Sequence, residues 1–484
     1  MMPIRRLLVA VVLVVVALLA AALFALRITV IADFQLEPWH TYVPDEMPAS
    51  DIDHASWGDY LAAEQRVFNQ VNREMREQLA SEQPSAYNRY MASSRVFPGN
   101  LSHDWNRSYI AEPRQTAKGA VVLLHGLTDS PYSLRHFARH FQALGYVVVA
   151  PRLPGHGTVP AGLTAAHWED WMATTRLAVR EATRRAPAGT PLYIVGFSNG
   201  GALAVKYSLD TLQDAHLARP AHLVLISPMI GVSRFARFAG IAGLPALFPA
   251  FAKAAWLSVL PEFNPFKYNS FPVNAARQSY ELTEAVRQQL AAEARKPQRL
   301  ATLPAVLTYQ SLVDGTVSTE AIQTDLYDRL PANGSELVVF DTNASLGIDE
   351  MLRPSVAALR DRMFAPRARP YARTLIATRG PGNAQLKSTR FAAQATTASE
   401  HMLDAQYPPS LISLSHVALP FPIDDPLYGQ QPGGQENYGV NLGSLNMRGE
   451  RGALIVDAGS FSRATSNPFF RVMLEGIDER LQLR

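Results

Sequence analysis

Six short apolar runs, separated by stretches of helical periodicity, set the rhythm of this chain between residues 119 and 341. They are GAVVLLHG (119–126), YVVVAPRL (146–153), PLYIVGFS (191–198), HLVLISPM (222–229), AVLTYQSL (305–312) and ELVVFD (336–341). Each is apolar nearly throughout rather than alternating, the pattern of a strand buried on both faces. Between them, Leu134–Leu144, Trp168–Arg185 and Gly200–Leu212 carry apolar positions at helical spacing. Strands alternating with helices predict a mostly parallel sheet covered on both faces, so the predicted fold class is α/β.

Other regions break the rhythm. Residues 31–100 read as a polar, proline-spaced linker followed by a helix. Within that helix Leu61, Val67, Phe68, Val71, Met75 and Leu79 share one face, which predicts packing on the main domain. Residues 101–345 read as the core. Within it, residues 230–300, rich in Phe, Ala and Leu, predict an inserted cap. Residues 346–484 read as a C-terminal extension, with added strands expected around 374–380.

The run Leu7–Leu26 has no charge and no proline. Twenty residues at ~1.5 Å rise span about 30 Å, one bilayer core. Arg5 and Arg6 precede it, which predicts a cytoplasmic N-terminus, with residues 1–30 as a membrane anchor and an extracytoplasmic catalytic domain, periplasmic in a bacterium. The alternative is a secretory signal that is cleaved, although such signals carry a shorter apolar region of about 7–15 residues.

Composition narrows the chemistry. Of 484 residues, 48 % are hydrophobic and 18 % charged, which excludes a chain dominated by disorder. The net charge of +3 gives no argument for nucleic acid. With no cysteine, disulfides, thiolate zinc sites and a cysteine nucleophile are all excluded. Neither a metal-ligand cluster nor a phosphate-binding glycine loop is legible, so no cofactor is implied.

Gly196-Phe197-Ser198-Asn199-Gly200 is a G-x-S-x-G sequence that ends an apolar run and opens a helix. A strand–serine–helix turn is so tight that small neighbours are required, and it projects the Ser198 hydroxyl at a helix N-terminus. A serine needs an adjacent base. In this architecture the partners follow in the order serine, acid, histidine. Ten of the 12 histidines lie before residue 300, leaving His401 and His416. His416 follows the strand-like SLISLS, whereas His401 sits in a polar stretch, so His416 is the expected base. Asp314, just beyond AVLTYQSL, is the expected acid, with Asp341 as its rival and a plain Asp-Gly turn as the bland alternative. Backbone N–H groups of Leu127 and Asn199 are the expected oxyanion donors. His125 and His156 are expected to shape turns.

Taken together, HGLTDSPYS (125–133), RLPGHGT (152–158), GFSNGG (196–201), VDGTV (313–317) and LSHVALPFPIDDPLYG (414–429) resemble the α/β-hydrolase superfamily, in its lysophospholipase, monoacylglycerol-lipase and carboxylesterase-like branch. The resemblance covers about residues 100–345, with the histidine block recovered later. It implies a serine hydrolase that cleaves carboxylic esters, of acyl-lipid or other hydrophobic type, through an acyl-enzyme. A peptidase, thioesterase or acyltransferase using the same three residues, or a non-catalytic binding protein on the same fold, is the alternative. Phe263, Phe266 and Tyr268 in the cap are candidate substrate walls, and each can equally be cap core. The chain departs from the family at one point: the histidine normally follows the last core strand, and here roughly 70 residues intervene. They are expected to form an insertion that returns the chain to the site.

Overall fold

The computed structural model describes residues 35–231, 249–434, 436–444 and 462–483. The apolar run Leu7–Leu26 lies outside them, and among the described residues no helix is long and apolar enough to cross a membrane.

The apolar runs become the strands of one sheet. A short first strand, β1 (Tyr109–Ala111), is followed by β2 (Ala120–Leu124), β3 (Val147–Ala150), β4 (Leu192–Phe197) and β5 (His222–Ile226). A two-stranded hairpin, β6 (Trp256–Ser258) with β7 (Phe271–Pro272), stands apart from the sheet. The sheet then resumes with β8 (Ala305–Ser311), β9 (Glu336–Phe340), β10 (Ala372–Gly380), β11 (Asn383–Phe391) and β12 (Ala398–Gln406). Its order is β1-β3-β2-β4-β5-β8-β9-β10-β11-β12. From β3 to β10 all pairings are parallel. The chain carries the α/β-hydrolase fold.

Helices cover both faces because the strands alternate between two cores. Val122, Leu124, Ile194 and Leu225 face α1 (Trp57–Gln78), then, once the chain has passed α2 (Arg135–Ala143) on the other side, α3 (Trp168–Arg185), α4 (Asn199–Asp210) and α5 (Val273–Glu293). Val121, Leu123, Val195 and Ile226 face α2 and a C-terminal helix. Successive strand residues point to opposite sides, so an uninterrupted apolar run feeds two cores at once. Registers such as Phe197↔Ile226, Ile226↔Tyr309 and Ser311↔Phe340 bring the carboxyl ends of β4, β5, β8 and β9 to one rim.

Three expected boundaries are corrected. Residues 35–55 are no linker: Trp39 and Ile52 are buried, and the Glu46 carboxylate holds the buried Arg152 guanidinium through two bonds of 2.7 and 2.8 Å. Polar residues there read as solvated because their buried partner lies about a hundred residues downstream. The expected cap over 230–300 is shorter, because α5 is the crossover helix from β5 to β8. Its Ala275, Leu282, Val286 and Leu290 belong to the main core, which leaves the β6–β7 hairpin and its flanks as cap among the described residues.

Nor does residue 346 begin a separate unit. After α6 (Pro354–Met363), β10 adds to β9 in parallel, with Ile376 opposite Phe340. The antiparallel pair β11 and β12 then extends the same sheet. The C-terminal helix α7 (Phe470–Leu481) seals the second core with Met473 and Ile477, both fully buried.

Candidate active site

Ser198 stands between β4 and α4 with φ 52° and ψ −115°, a conformation that L-residues rarely adopt. Such strain costs on the order of 1–3 kcal/mol and persists only where the surroundings enforce it. Here the Ser198 N–H donates to Ile226 O (3.0 Å), and Ser198 O accepts from Gly201 N–H (3.0 Å) and Met229 N–H (2.9 Å). The glycines are steric necessities. A Cβ on Gly200 would lie 1.9 Å from Leu124 O, and one on Gly196 would lie 2.4 Å from Gly200 O.

The loop after β2 lies directly against this bend. A Cβ on Gly126 would stand 3.3 Å from Ser198 Cβ and 3.2 Å from the Phe197 ring. His125 shapes the loop: its Nδ1–H donates to Gly126 O (2.9 Å) and its Nε2 accepts from Leu153 N–H (3.0 Å). Burial, reinforced by His156 nearby, holds its pKa well below the ordinary imidazole value, so the ring is neutral. His156 is likewise fully buried, its Nδ1 3.1 Å from Pro154 O. The Leu127 and Asn199 N–H groups have no acceptor among the described residues. Two free amide donors beside a serine are what a developing oxyanion requires.

Asp314 follows β8. Its Oδ1 accepts from the Thr316 (2.7 Å) and Val317 (3.0 Å) N–H groups, and its Oδ2 lies 3.0 Å from Nδ1 of His416. Both side chains are buried. Burial pushes the Asp314 pKa up, but the hydrogen bond and charge of His416, with the two backbone donors, outweigh it and hold the carboxyl below its usual range. The His416 ring also sits 5.3 Å, centroid to centroid, from Phe197, the residue before Ser198. Ser311 Oγ donates to Leu414 O (2.8 Å), which fastens the His416 segment to β8.

The rivals lie elsewhere. Asp341 accepts from Thr342 N–H (2.8 Å) and faces Arg360 (3.5 Å), with its pKa raised by burial. His401 is exposed on β12, opposite Ser388. Contrary to expectation, His401 is the one on a strand, and His416 opens a single 3₁₀ turn (His416–Ala418) after irregular chain. Side-chain anchors, Ser311 to Leu414 and Ser415 Oγ to Ala464 O, hold it in place of a strand ladder.

Of the three candidate wall residues, two are buried and one is partly exposed. Phe266 is fully buried and stacks on Tyr132 at 4.4 Å. Tyr268 is buried with its hydroxyl 2.7 Å from Thr158 N and 3.1 Å from Gly155 O, and its N–H donates to Thr128 O (2.9 Å). These two rings brace the loop that carries Leu127. Phe263 is partly exposed.

One group escaped the sequence reading. Asp425 is fully buried and accepts from Arg135 Nη1 (2.6 Å), His136 Nε2 (2.8 Å), Tyr132 Oη (3.0 Å) and the N–H groups of Leu427 and Tyr428 (2.9 and 2.8 Å). It pins the His416-bearing block to the helix that follows the Leu127 loop. Its sequence signal was only its place in the proline-rich PFPIDDP turn; no spacing ties it to Arg135.

Residues 115–343 match the family model described as "Serine aminopeptidase, S33". A thermostable monoacylglycerol lipase of Bacillus sp. (strain H-257) is 33 % identical over 97 residues, which is 20 % of this chain and 38 % of that protein. The match thus spans well under half the length of that curated relative. Among solved structures, one reported for the metagenome-derived lipolytic enzymes LipS and LipT is 25 % identical with a TM-score of 0.38, covering 53 % of this chain and 98 % of that one. A soluble variant of monoglyceride lipase from Saccharomyces cerevisiae is 14 % identical with a TM-score of 0.36, covering 48 % of this chain and 82 % of that one. Residues 115–343, with the α/β-hydrolase sheet described above, are thus similar to the serine aminopeptidase S33 family and, over a shorter stretch, to a monoacylglycerol lipase.

Proposed function

We propose that Ser198, His416 and Asp314 form a catalytic triad that hydrolyses a carboxylic ester, of acyl-lipid or other hydrophobic type, through an acyl-enzyme. The observation that carries this reading is the buried pair of His416 Nδ1 and Asp314 Oδ2 at 3.0 Å, beside the residue preceding Ser198. With Nδ1–H engaged by the carboxylate, Nε2 is the nitrogen left to take the Ser198 proton. Ser198 Oγ attacks the ester carbonyl, and the oxyanion is received by the Leu127 and Asn199 N–H groups. His416 then returns the proton to the departing alcohol. Water, deprotonated by the same nitrogen, attacks the acyl-enzyme and releases the acid. The lipid character of the substrate is supported by the monoacylglycerol lipase relative.

The reading includes attachment to a membrane through Leu7–Leu26, with the catalytic domain on the extracytoplasmic side. The length of that uncharged run and the preceding Arg5 and Arg6 support it. Release after cleavage of a secretory signal is the competing outcome.

A second reading, a peptidase using the same residues, is favoured by the name of the matching family model. A fluorophosphonate probe should label the wild type and not Ser198→Ala. Beside it, p-nitrophenyl esters of rising chain length are assayed against an aminoacyl-nitroanilide. Faster cleavage of the anilide would replace the esterase reading with the peptidase one, and an unlabelled wild type would remove both.

A further inference from the structure

Gln310 lies on β8, four residues before Asp314, and is fully buried. Its amide nitrogen donates to Asp314 Oδ2 (2.9 Å) and to Thr319 Oγ1 (3.1 Å). Asp314 Oδ2 is also the atom that takes His416 Nδ1. Thr319 spends its own proton on Ser311 O (2.9 Å), so toward Gln310 its oxygen can only accept. Both hydrogens of the amide nitrogen are thereby assigned, and the amide is fixed in one orientation. Its carbonyl oxygen is buried and has no hydrogen-bond partner among the described residues. An orphaned buried carbonyl is a cost that an apolar side chain of the same length would avoid. What the glutamine supplies in return is a second donor to the carboxylate that faces His416.

We infer that Gln310 is a positioning residue for the proposed triad: with Thr319 behind it, it holds the Asp314 carboxylate in one rotamer and disperses the charge on Oδ2. The inference rests on the triad reading. Four donors then surround the carboxylate: two backbone N–H groups on Oδ1, and His416 with Gln310 on Oδ2. Without Gln310, Oδ2 loses one donor and concentrates its charge on His416, which stabilises the imidazolium. The acidic limb of the kcat/KM profile, set by deprotonation of that ring, then moves to higher pH. Among the described residues, the neighbouring charges Arg463 and Glu320 engage partners other than Oδ2. Arg463 reaches Thr316 Oγ1 (3.3 Å) on the exposed side of the loop, and Glu320, beside Thr319, pairs with Arg362 (2.7 Å).

The test uses the full chain with p-nitrophenyl butyrate. Gln310→Met keeps side-chain length and removes the donor. It should lower kcat about 10- to 100-fold, the worth of one charge-assisted bond, with little change in KM. The acidic limb should move upward by about half a pH unit or more. A wild-type kcat, or a reduced kcat with an unmoved limb, overturns the inference. If Gln310→Met does not fold, Thr319→Val and Thr319→Ser decide. Valine should shift the limb and serine, which keeps the acceptor, should not; equal behaviour of the two overturns the inference. The far-downfield proton resonance of His416 Nδ1–H reads the same relationship without turnover, and should move in Gln310→Met. Should His416→Ala retain ester hydrolysis, the triad reading has failed. The resonance then still reports on its own whether Gln310 positions Asp314, and an unmoved resonance overturns that as well.

Discussion

Asp425 and Arg135, 290 positions apart in the chain, meet as a fully buried ion pair at 2.6 Å. The Arg135 guanidinium also lies 3.9 Å over the Tyr132 ring, and Tyr132 in turn donates to Asp425. Burial opposes the charge on Asp425, but His136, Arg135 and the backbone donors hold its pKa far below the carboxylate range. The pair fastens the block carrying His416 to the chain segment that follows Leu127.

Breaking that pair leaves an uncompensated buried charge. Asp425→Ala is expected to destabilise the fold by about 3–5 kcal/mol. The loss is read as a lower urea midpoint at unchanged m-value. Because the same block carries His416, ester hydrolysis should fall more steeply than the folded fraction.

The residues proposed as a triad should behave as a unit. Ser198→Ala and His416→Ala are each expected to lower kcat by on the order of 10⁴–10⁶, and the double variant by no more than either alone. His401→Ala, exposed on β12, should match the wild type. Steady-state kinetics on one ester checks all four. A loss confined to His401→Ala would transfer the role of base.

Gly200 has no space for a methyl group, since the atom 1.9 Å from its would-be Cβ is a backbone carbonyl that cannot rotate away. Gly200→Ala should therefore destabilise by about 3 kcal/mol or more. At Gly126 the neighbours are the Phe197 ring and Ser198 Cβ at 3.2 and 3.3 Å, which can give slightly. Gly126→Ala should fold with a nearly unchanged melting temperature yet lose kcat, because the shift falls on the loop that carries Leu127, a proposed oxyanion donor. Thermal melts beside kinetics separate the two effects.

Glu336 ties the sheet to its C-terminal additions. Burial opposes its charge, yet Arg480, Arg390 and Thr374 hold its pKa down to about 2. A folded pKa below the unfolded value means stability that is fully present above the ordinary glutamate range near 4.5 and lost as pH falls toward 2. The wild-type melting temperature should therefore drop between about pH 4.5 and 2, and Glu336→Gln should flatten that slope while starting lower at neutral pH.

Tyr268→Phe removes a hydroxyl bonded to Thr158 N and Gly155 O. It should cost about 1–3 kcal/mol of stability and leave KM for esters of any chain length unchanged. A chain-length-dependent KM would restore Tyr268 to the substrate wall.

The sequence by itself determined the six central strands, the helices between them and the serine bend. Those features rest on neighbours within a few residues: a run such as PLYIVGFS reports its own burial, and Gly196 and Gly200 report the crowding of their own turn. Tertiary structure decided what depends on distant partners. It set Asp314 rather than Asp341 beside His416, turned Phe266 and Tyr268 inward, and paired Glu46 with Arg152 and Asp425 with Arg135. It also carried the chain through β10, β11 and β12 so that His416 comes back to β8. Periodicity records which face of an element is dry, but a hydrogen bond between residues a hundred or more positions apart follows only from how the packed elements converge.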